Sequence, residues 1–345
     1  MKLSTFEQAL AQSDPKKRHV LLGNGFSRAC RNDIFAYDAL FDRADFTALS
    51  PYVRQAFDTL ETRDFEVVMR ALRSGAALVS LYGGDGATVS GTMKKDAEDL
   101  RTLLAKTIAG NHPDRPSDIA PAPYLACRKF LRNFCKTYTL NYDLLMYWAL
   151  MQNELGDDPV ACDDGFRQPE GGPTTYVTWD VQNTRTQNIF YIHGALHVFD
   201  AGHELQKYTW VNTQVALVDQ IREALGEEKY PVFVAEGDWK GKLDRIQHSG
   251  YLNRAYRSFG EIRNTLFVFG HSMAENDEHV LRLIERGNVT HLWVGIFGGP
   301  DSEGNRRIID RAKQMNDVRK ARKKGALLVA FYDAASAEVW GNISA

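Results

Sequence analysis

Short apolar runs recur along the chain, and stretches with apolar residues at helical spacing separate most of them. The runs at 18–23, 136–140, 188–193, 231–235, 265–270, 290–297 and 326–332 read as buried strands, too short for buried helices. Helical periodicity occupies about 143–155, 211–225, 243–262, 277–287 and 305–323. Strands alternating with helices predict an α/β fold, a mainly parallel sheet with helices on both faces.

Residues 27–46 combine a short helix with loop. The stretch 52–81 carries Phe57 and Leu60, then Phe65, Val68, Met69 and Leu72, and Thr62-Arg63-Asp64 offers an N-cap for the second of two helices. Gly83-Gly84-Asp85-Gly86 stops the pattern. A further helix at about 93–108 places Met93, Ala97, Leu100 and Leu104 on one stripe, and Gly110-Asn111-His112-Pro113 ends it. Residues 50–135 are therefore expected to form an all-helical insertion in a sheet-bearing domain built from 1–49 and 136–345. From Gly156 to Thr186 the chain is rich in Gly, Pro, Asp and Thr. A connection of that length forms a binding lid or a surface excursion with a small hairpin at 175–179, and the pattern leaves both open.

Composition narrows the class. The chain has 345 residues, more than one compact domain usually holds, and its 44% hydrophobic and 25% charged content is ordinary for a soluble globular protein. A net charge of -2 gives no electrostatic footprint for nucleic acid as an obligatory partner. Met1–Glu7 lacks an apolar leader core, and no run approaches the ~18 apolar residues of a membrane span. Cys30, Cys127, Cys135 and Cys162 include no Cys-x-x-Cys pair, which removes the usual zinc-ribbon signature and fits free thiols in a reducing compartment. A cytoplasmic protein without a membrane partner is the expectation. The basic stretch Arg319–Lys324 ends an amphipathic helix and reads as a solvated end favoured by the helix dipole.

Candidate chemistry gathers at four strand ends, where ligands bind in open parallel sheets. Gly23-Asn24-Gly25-Phe26-Ser27 follows a strand and precedes a helix, so its backbone suits a pyrophosphate, with Ser27 adding a hydroxyl. Glycines needed only for the turn are the plainer alternative. Asn141, after Tyr138-Thr139-Leu140, could present its amide to a ribose hydroxyl or a water, while Asp143 contacts ligand or caps the next helix. His193 closes Phe190-Tyr191-Ile192 and can take a proton, and Gly194 beside it removes bulk. His197, four residues on, could share a helical face with it, but no carboxylate or Cys completes a metal set at ligand spacing, so no metal is expected. After Leu266–Phe269, Gly270-His271-Ser272 repeats the pattern; Ser272 can donate to phosphate, and Asp277 can hold ribose hydroxyls or cap a helix. Gly-His-Ser-Met-Ala is not the Gly-x-Ser-x-Gly of a serine nucleophile.

In order, these segments resemble the sirtuin-like NAD-consuming superfamily, in its bacterial zinc-less branch, part of which is catalogued only as a domain of unknown function. The likeness rests on Gly23–Ser27, Thr139–Asp143, Ile192–Gly194 and Gly270–Met273, with Asp64-Phe65-Glu66 and Val234-Ala235-Glu236-Gly237 as lesser landmarks. It implies a Rossmann-like fold that binds NAD and breaks the nicotinamide–ribose bond. By position, Asn141 and His193 would be catalytic; Gly23, Asn24, Gly25, Phe26, Ser27, Asp143, Gly194, Gly270, Ser272 and Asp277 would line the NAD site. Lacking a four-Cys zinc module, the chain is expected to pass ADP-ribose to water rather than to an acyl-peptide. The likeness also points to anti-phage defence, with a homo-oligomer or a partner protein as the switch. A non-catalytic NAD or ADP-ribose sensor is the alternative.

Overall fold

The computed structural model describes the chain except residues 83–84, 153, 171–173, 210–214, 228, 236–237 and 342–345. A six-stranded, all-parallel sheet forms its centre. Its strands are β1 (Arg18–Leu22), β2 (Lys136–Thr139), β5 (Ile189–Tyr191), β9 (Arg263–Phe269), β10 (Asn288–Ile296) and β11 (Leu328–Asp333), in the order β11-β10-β9-β1-β2-β5. β1 runs almost without exposure, with Val20, Leu21 and Leu22 at 0%, as a strand covered on both faces must. The chain leaves β1 towards β2 and later returns on its other side as β9. The order therefore reverses between β1 and β9, and a crevice outside their carboxyl ends is the expected ligand position.

Helices flank this sheet, giving the α/β, Rossmann-like architecture the periodicity predicts. α1 (Phe6–Ala11) and α7 (Pro121–Leu131) pack through Phe6 and Phe130, whose ring centroids lie 5.3 Å apart; Phe130 also meets Phe269 of β9. Neither helix is evident from the periodicity, because α1 is too short and α7 carries two prolines in its first turn. α2 (Gly25–Phe35) leaves the β1 turn and α3 (Tyr37–Arg43) follows. α4 (Pro51–Thr59), α5 (Phe65–Val79) and α6 (Gly86–Asn111) fill the helical region. Asp64 caps α5 by accepting from the Glu66 and Val67 amides. α6 starts well before the expected 93, and Gly83 and Gly84 lie outside the described residues. After β2 come α8 (Leu145–Met151), then α9 (Leu217–Gly226), α10 (Trp239–His248), α11 (Gly250–Gly260), α12 (Glu278–Arg286) and α13 (Glu303–Ala321). The single helix expected at 243–262 is two, because Ser249 adopts extended geometry and caps the second by accepting from Leu252 N–H. Of the helix expected from 211, residues 211–214 lie outside the described residues.

A second, antiparallel sheet is the main departure from expectation. It orders β3 (Phe166–Arg167), β4 (Tyr176–Trp179), β7 (Leu205–Tyr208), β6 (Gly194–Asp200) and β8 (Pro231–Phe233) as β3-β4-β7-β6-β8. The apolar run at 231–235 thus belongs here and not to the parallel sheet. The Gly- and Pro-rich stretch 156–186 contributes two short strands, β3 and β4, which pair antiparallel with each other, so the hairpin expected at 175–179 is present as strand β4 with β3 as its partner. His197 sits on β6, so the helical face it was expected to share with His193 does not exist. Among the described residues no helix is long and apolar enough to cross a membrane.

Candidate functional site

The parallel register sets the first relationship in the site. Thr139 of β2 pairs with Tyr191 of β5, and Asn141 and His193 each lie two residues beyond. Neighbouring strands are about 4.8 Å apart, so the two residues leave the sheet from adjacent strand ends, Asn141 turned towards the β1 turn and His193 towards α12.

Asn141 is held in one orientation. Its Nδ2 donates to the Gly23 carbonyl at 3.0 Å and to Ser27 Oγ at 2.8 Å. Gly23 O can only accept, so the amide cannot be flipped. Ser27 in turn donates to Asp143 Oδ2, and Asp143 Oδ1 accepts from the Leu145 amide at 2.9 Å. Burial raises the Asp143 pKa, with the Ser27 hydroxyl opposing it. Both Asn141 N–H bonds being spent inward, Oδ1 is left as a fixed acceptor with no partner among the described residues.

The Gly-rich turn is packed as much as it is open. Gly23 N–H donates to Phe269 O, Gly25 N–H to Gly270 O and Phe26 N–H to Gly23 O. A Cβ on Gly25 would stand 2.5 Å from Gly270 Cα, and one on Gly270 would meet Gly25 Cα at 2.6 Å. These glycines let the ends of β1 and β9 cross, which is the plainer of the two readings. Three expected ligand contacts are committed elsewhere. Asn24 Nδ2 donates to Phe35 O, Phe26 is a core residue against Trp340 at 5.1 Å, and the Ser27 hydroxyl serves Asn141 and Asp143. Gly194 does not make room for a ligand: its φ is +78°, and a Cβ there would lie 2.0 Å from Val232 O of β8. Ser272 is exposed and free to donate outward.

The segment after β9 crosses to the end of β5, three strands away in the sheet order. There Asp277 is a hub of buried charge. Lys242 of α10, 1% exposed, reaches Asp277 Oδ1 at 2.8 Å and Glu66 Oε2 at 2.7 Å, and His271 Nε2 contacts Asp277 Oδ2 at 3.0 Å. Asp277 therefore neither caps α12 nor offers a free carboxylate to ribose. Burial pushes its pKa up, but Lys242 and His271 outweigh that and hold it well below the usual range. Burial lifts Glu66 to about 7 despite Lys242. Burial alone would lower Lys242, and the two carboxylates raise it instead.

His193 is 2% exposed, and its Nε2 faces Nε2 of His279 at 3.0 Å. Desolvation, reinforced by Lys242, keeps its pKa well below 6.5, so the ring is neutral. Asp277 Oδ1 lies 3.9 Å from His193 Nε2, beyond a hydrogen bond. His193, Asp277 and His279 bring ligand-type atoms within 4.8 Å of one another. The two rings meet nearly coplanar at 20°, with the Nε2 of each directed at the other, and Lys242 is already on the carboxylate, so in this arrangement the three groups form a hydrogen-bonded and ion-paired cluster.

Lys242, Glu66, His271 and His279 are the members of this cluster that motif reading did not place in the site. Glu66 carried a signal as part of a lesser landmark, and His271 as part of the Gly270–Met273 segment. Of the other landmark, Glu236 and Gly237 lie outside the described residues. A polar cavity of about 420 Å³ opens beside the turn, lined by Arg28, Asp38, Arg63 and Asp64 among others. A larger, apolar one of about 520 Å³ lies against Tyr124 and Trp148. Neither is lined by Asn141 or His193.

A family model described as a domain of unknown function (DUF4917) matches residues 20–340. No curated protein matches the chain.

Proposed function

The chain belongs to the DUF4917 family, and for this member we propose NAD⁺ glycohydrolysis, cleavage of the nicotinamide–ribose bond by water to give nicotinamide and ADP-ribose. The observation that carries the proposal is that a fixed Asn141 amide and a neutral His193 stand at the carboxyl ends of adjacent parallel strands. Nicotinamide leaves as a neutral molecule, so positive charge collects on the ribose and no strong nucleophile is required. What the protein must supply is position and uncharged polar contacts that tolerate a cation. Asn141 Oδ1 would accept from a ribose hydroxyl or the attacking water, and its dipole favours the growing charge. His193 would orient that water or take its proton. Gly23, Gly25, Gly270 and Ser272 would lie along the phosphates, and the 420 Å³ cavity beside Arg28 is within the usual size range of ligand pockets.

The resemblance to the sirtuin-like superfamily supports the same two residues. It brings a setting with it: cytoplasmic NAD depletion in bacterial defence against phage, switched on by self-assembly or a partner. No metal takes part in the proposal.

A second reading has an observation of its own. His193 is almost closed off and its Nε2 is occupied, as suits a module that senses NAD or ADP-ribose without turning it over. Incubating purified protein with NAD⁺ at several concentrations and measuring nicotinamide separates the two. Removing a positioned acid/base group costs ~10²–10⁴ in rate, so Asn141→Ala and His193→Ala are expected to lose turnover by that order while still folding. Normal NAD⁺ loss by both variants would refute the hydrolase; NAD⁺ binding with no nicotinamide release from the native protein would select the sensor.

A further inference from the structure

His279 lies on α12, eighty-six residues from His193 in sequence, and the two rings share one contact, Nε2 to Nε2 at 3.0 Å. Burial depresses both pKa values, that of His279 to about 3, so neither ring is protonated near neutrality. Two neutral imidazoles that face each other through the same atom must place one proton between them, and only one ring can own it.

The surroundings decide which. His279 Nδ1 is sealed from solvent with no partner among the described residues. If His193 donated, His279 would carry its proton on Nδ1, as a buried N–H with no acceptor. If His279 donates, its Nδ1 is a bare lone pair. An orphaned buried donor is the rarer and costlier of the two. His193 is under no such constraint, because its Nδ1 is not one of the buried ring nitrogens left without a partner. Asp277 cannot reverse the choice: it stands 3.9 Å from His193 Nε2, and its own oxygens are held by Lys242 and His271.

We propose that His279 is a positioning residue that donates its Nε2–H to His193 Nε2 and so fixes His193 as the Nδ1–H tautomer. The consequence for chemistry rests on the hydrolysis reading; the tautomer itself does not. Through Nδ1, His193 would then present a donor. It would hold the oxygen of water or of a ribose hydroxyl and would not receive the proton. In the balanced step, water oxygen bonds to the ribose carbon as the carbon–nitrogen bond breaks. Nicotinamide keeps the bonding pair and the water proton departs to solvent.

The test reads the tautomer directly, in native protein labelled with ¹⁵N-histidine and without ligand. Two-bond and three-bond ¹H–¹⁵N correlations distinguish a protonated from an unprotonated ring nitrogen, and His193→Asn identifies the His193 signals by their loss. The expected result is a protonated Nδ1 and a bare Nε2 on His193. His279→Gln, whose amide can still donate, should retain that pattern, and His279→Leu should shift His193 towards Nε2–H. A protonated Nε2 on His193 in the native protein overturns the inference, whatever the NAD⁺ assay gives. So does a folded His279→Leu protein with an unchanged tautomer. A confirmed tautomer with no nicotinamide release leaves the inference standing and removes only the hydrolase reading.

Discussion

Ser27 has one hydroxyl and two obligations, accepting from Asn141 and donating to Asp143. Ser27→Ala leaves a buried carboxylate short of a donor and an amide N–H short of an acceptor. We expect a loss of about 1–3 kcal/mol in urea unfolding, together with a fall in turnover larger than any change in NAD⁺ affinity, since Asn141 is then held by Gly23 O alone. Gly194 makes the opposite kind of case, an intolerance set by backbone. With φ at +78° and Val232 O 2.0 Å from an added Cβ, Gly194→Ala should cost at least about 3 kcal/mol, visible as a lowered melting temperature or lost soluble protein. At this scale the residue types and order of the motifs are legible, but the tasks of several residues are not. Phe26, Asn24 and Gly194 look like ligand contacts in a motif and are core, loop anchor and strand crossing in space. A side chain's partner depends on what the fold brings opposite it, and for Ser27 and Asp143 that partner is 116 residues away.

Elements were read more reliably than residues, because burial of a whole face leaves a periodic trace. Each strand of the parallel sheet falls on a predicted apolar run. β8 is a predicted run too, but periodicity alone does not say which sheet a short strand joins; β4 coincides with the hairpin left open at 175–179, and β3 and β7 are too polar or too short to stand out. The ends of elements also build the charged hub: Glu66 comes from the first turn of α5, Lys242 from α10 and Asp277 from just before α12. Lys242→Met would leave two buried carboxylates facing each other without their cation. Loss of one partner from such a site typically costs about 3–5 kcal/mol, and guanidinium unfolding is expected to show a drop of that size.

For the whole molecule, the same hub predicts a dependence of stability on pH. Glu66 rises from 4.5 in its unperturbed state to about 7 in the folded protein, chiefly through burial. The folded state therefore binds its proton more tightly than the unfolded one does. That contribution is fully present below 4.5 and is lost as pH climbs to about 7. Each pKa unit is worth about 1.4 kcal/mol, which caps the effect at about 3–4 kcal/mol. Urea unfolding from pH 5 to pH 8 should show a decline that Glu66→Gln largely abolishes; equal slopes for both proteins would exclude Glu66 as its source. Asp277 acts in the other direction. Held well below 3.8, it gives up its stabilisation only in strong acid.

The sequence by itself determined the α/β class, the positions of the parallel strands and the four strand ends where polar chemistry collects, because apolar periodicity and Gly-rich turns are local consequences of burial and backbone sterics. Only the tertiary structure decided that Asn141 spends its amide N–H groups on Gly23 and Ser27, that His193 faces His279, and that Glu66, Lys242 and Asp277 share one buried site. Those are contacts between segments up to 176 residues apart, and no local pattern records which buried group must satisfy which.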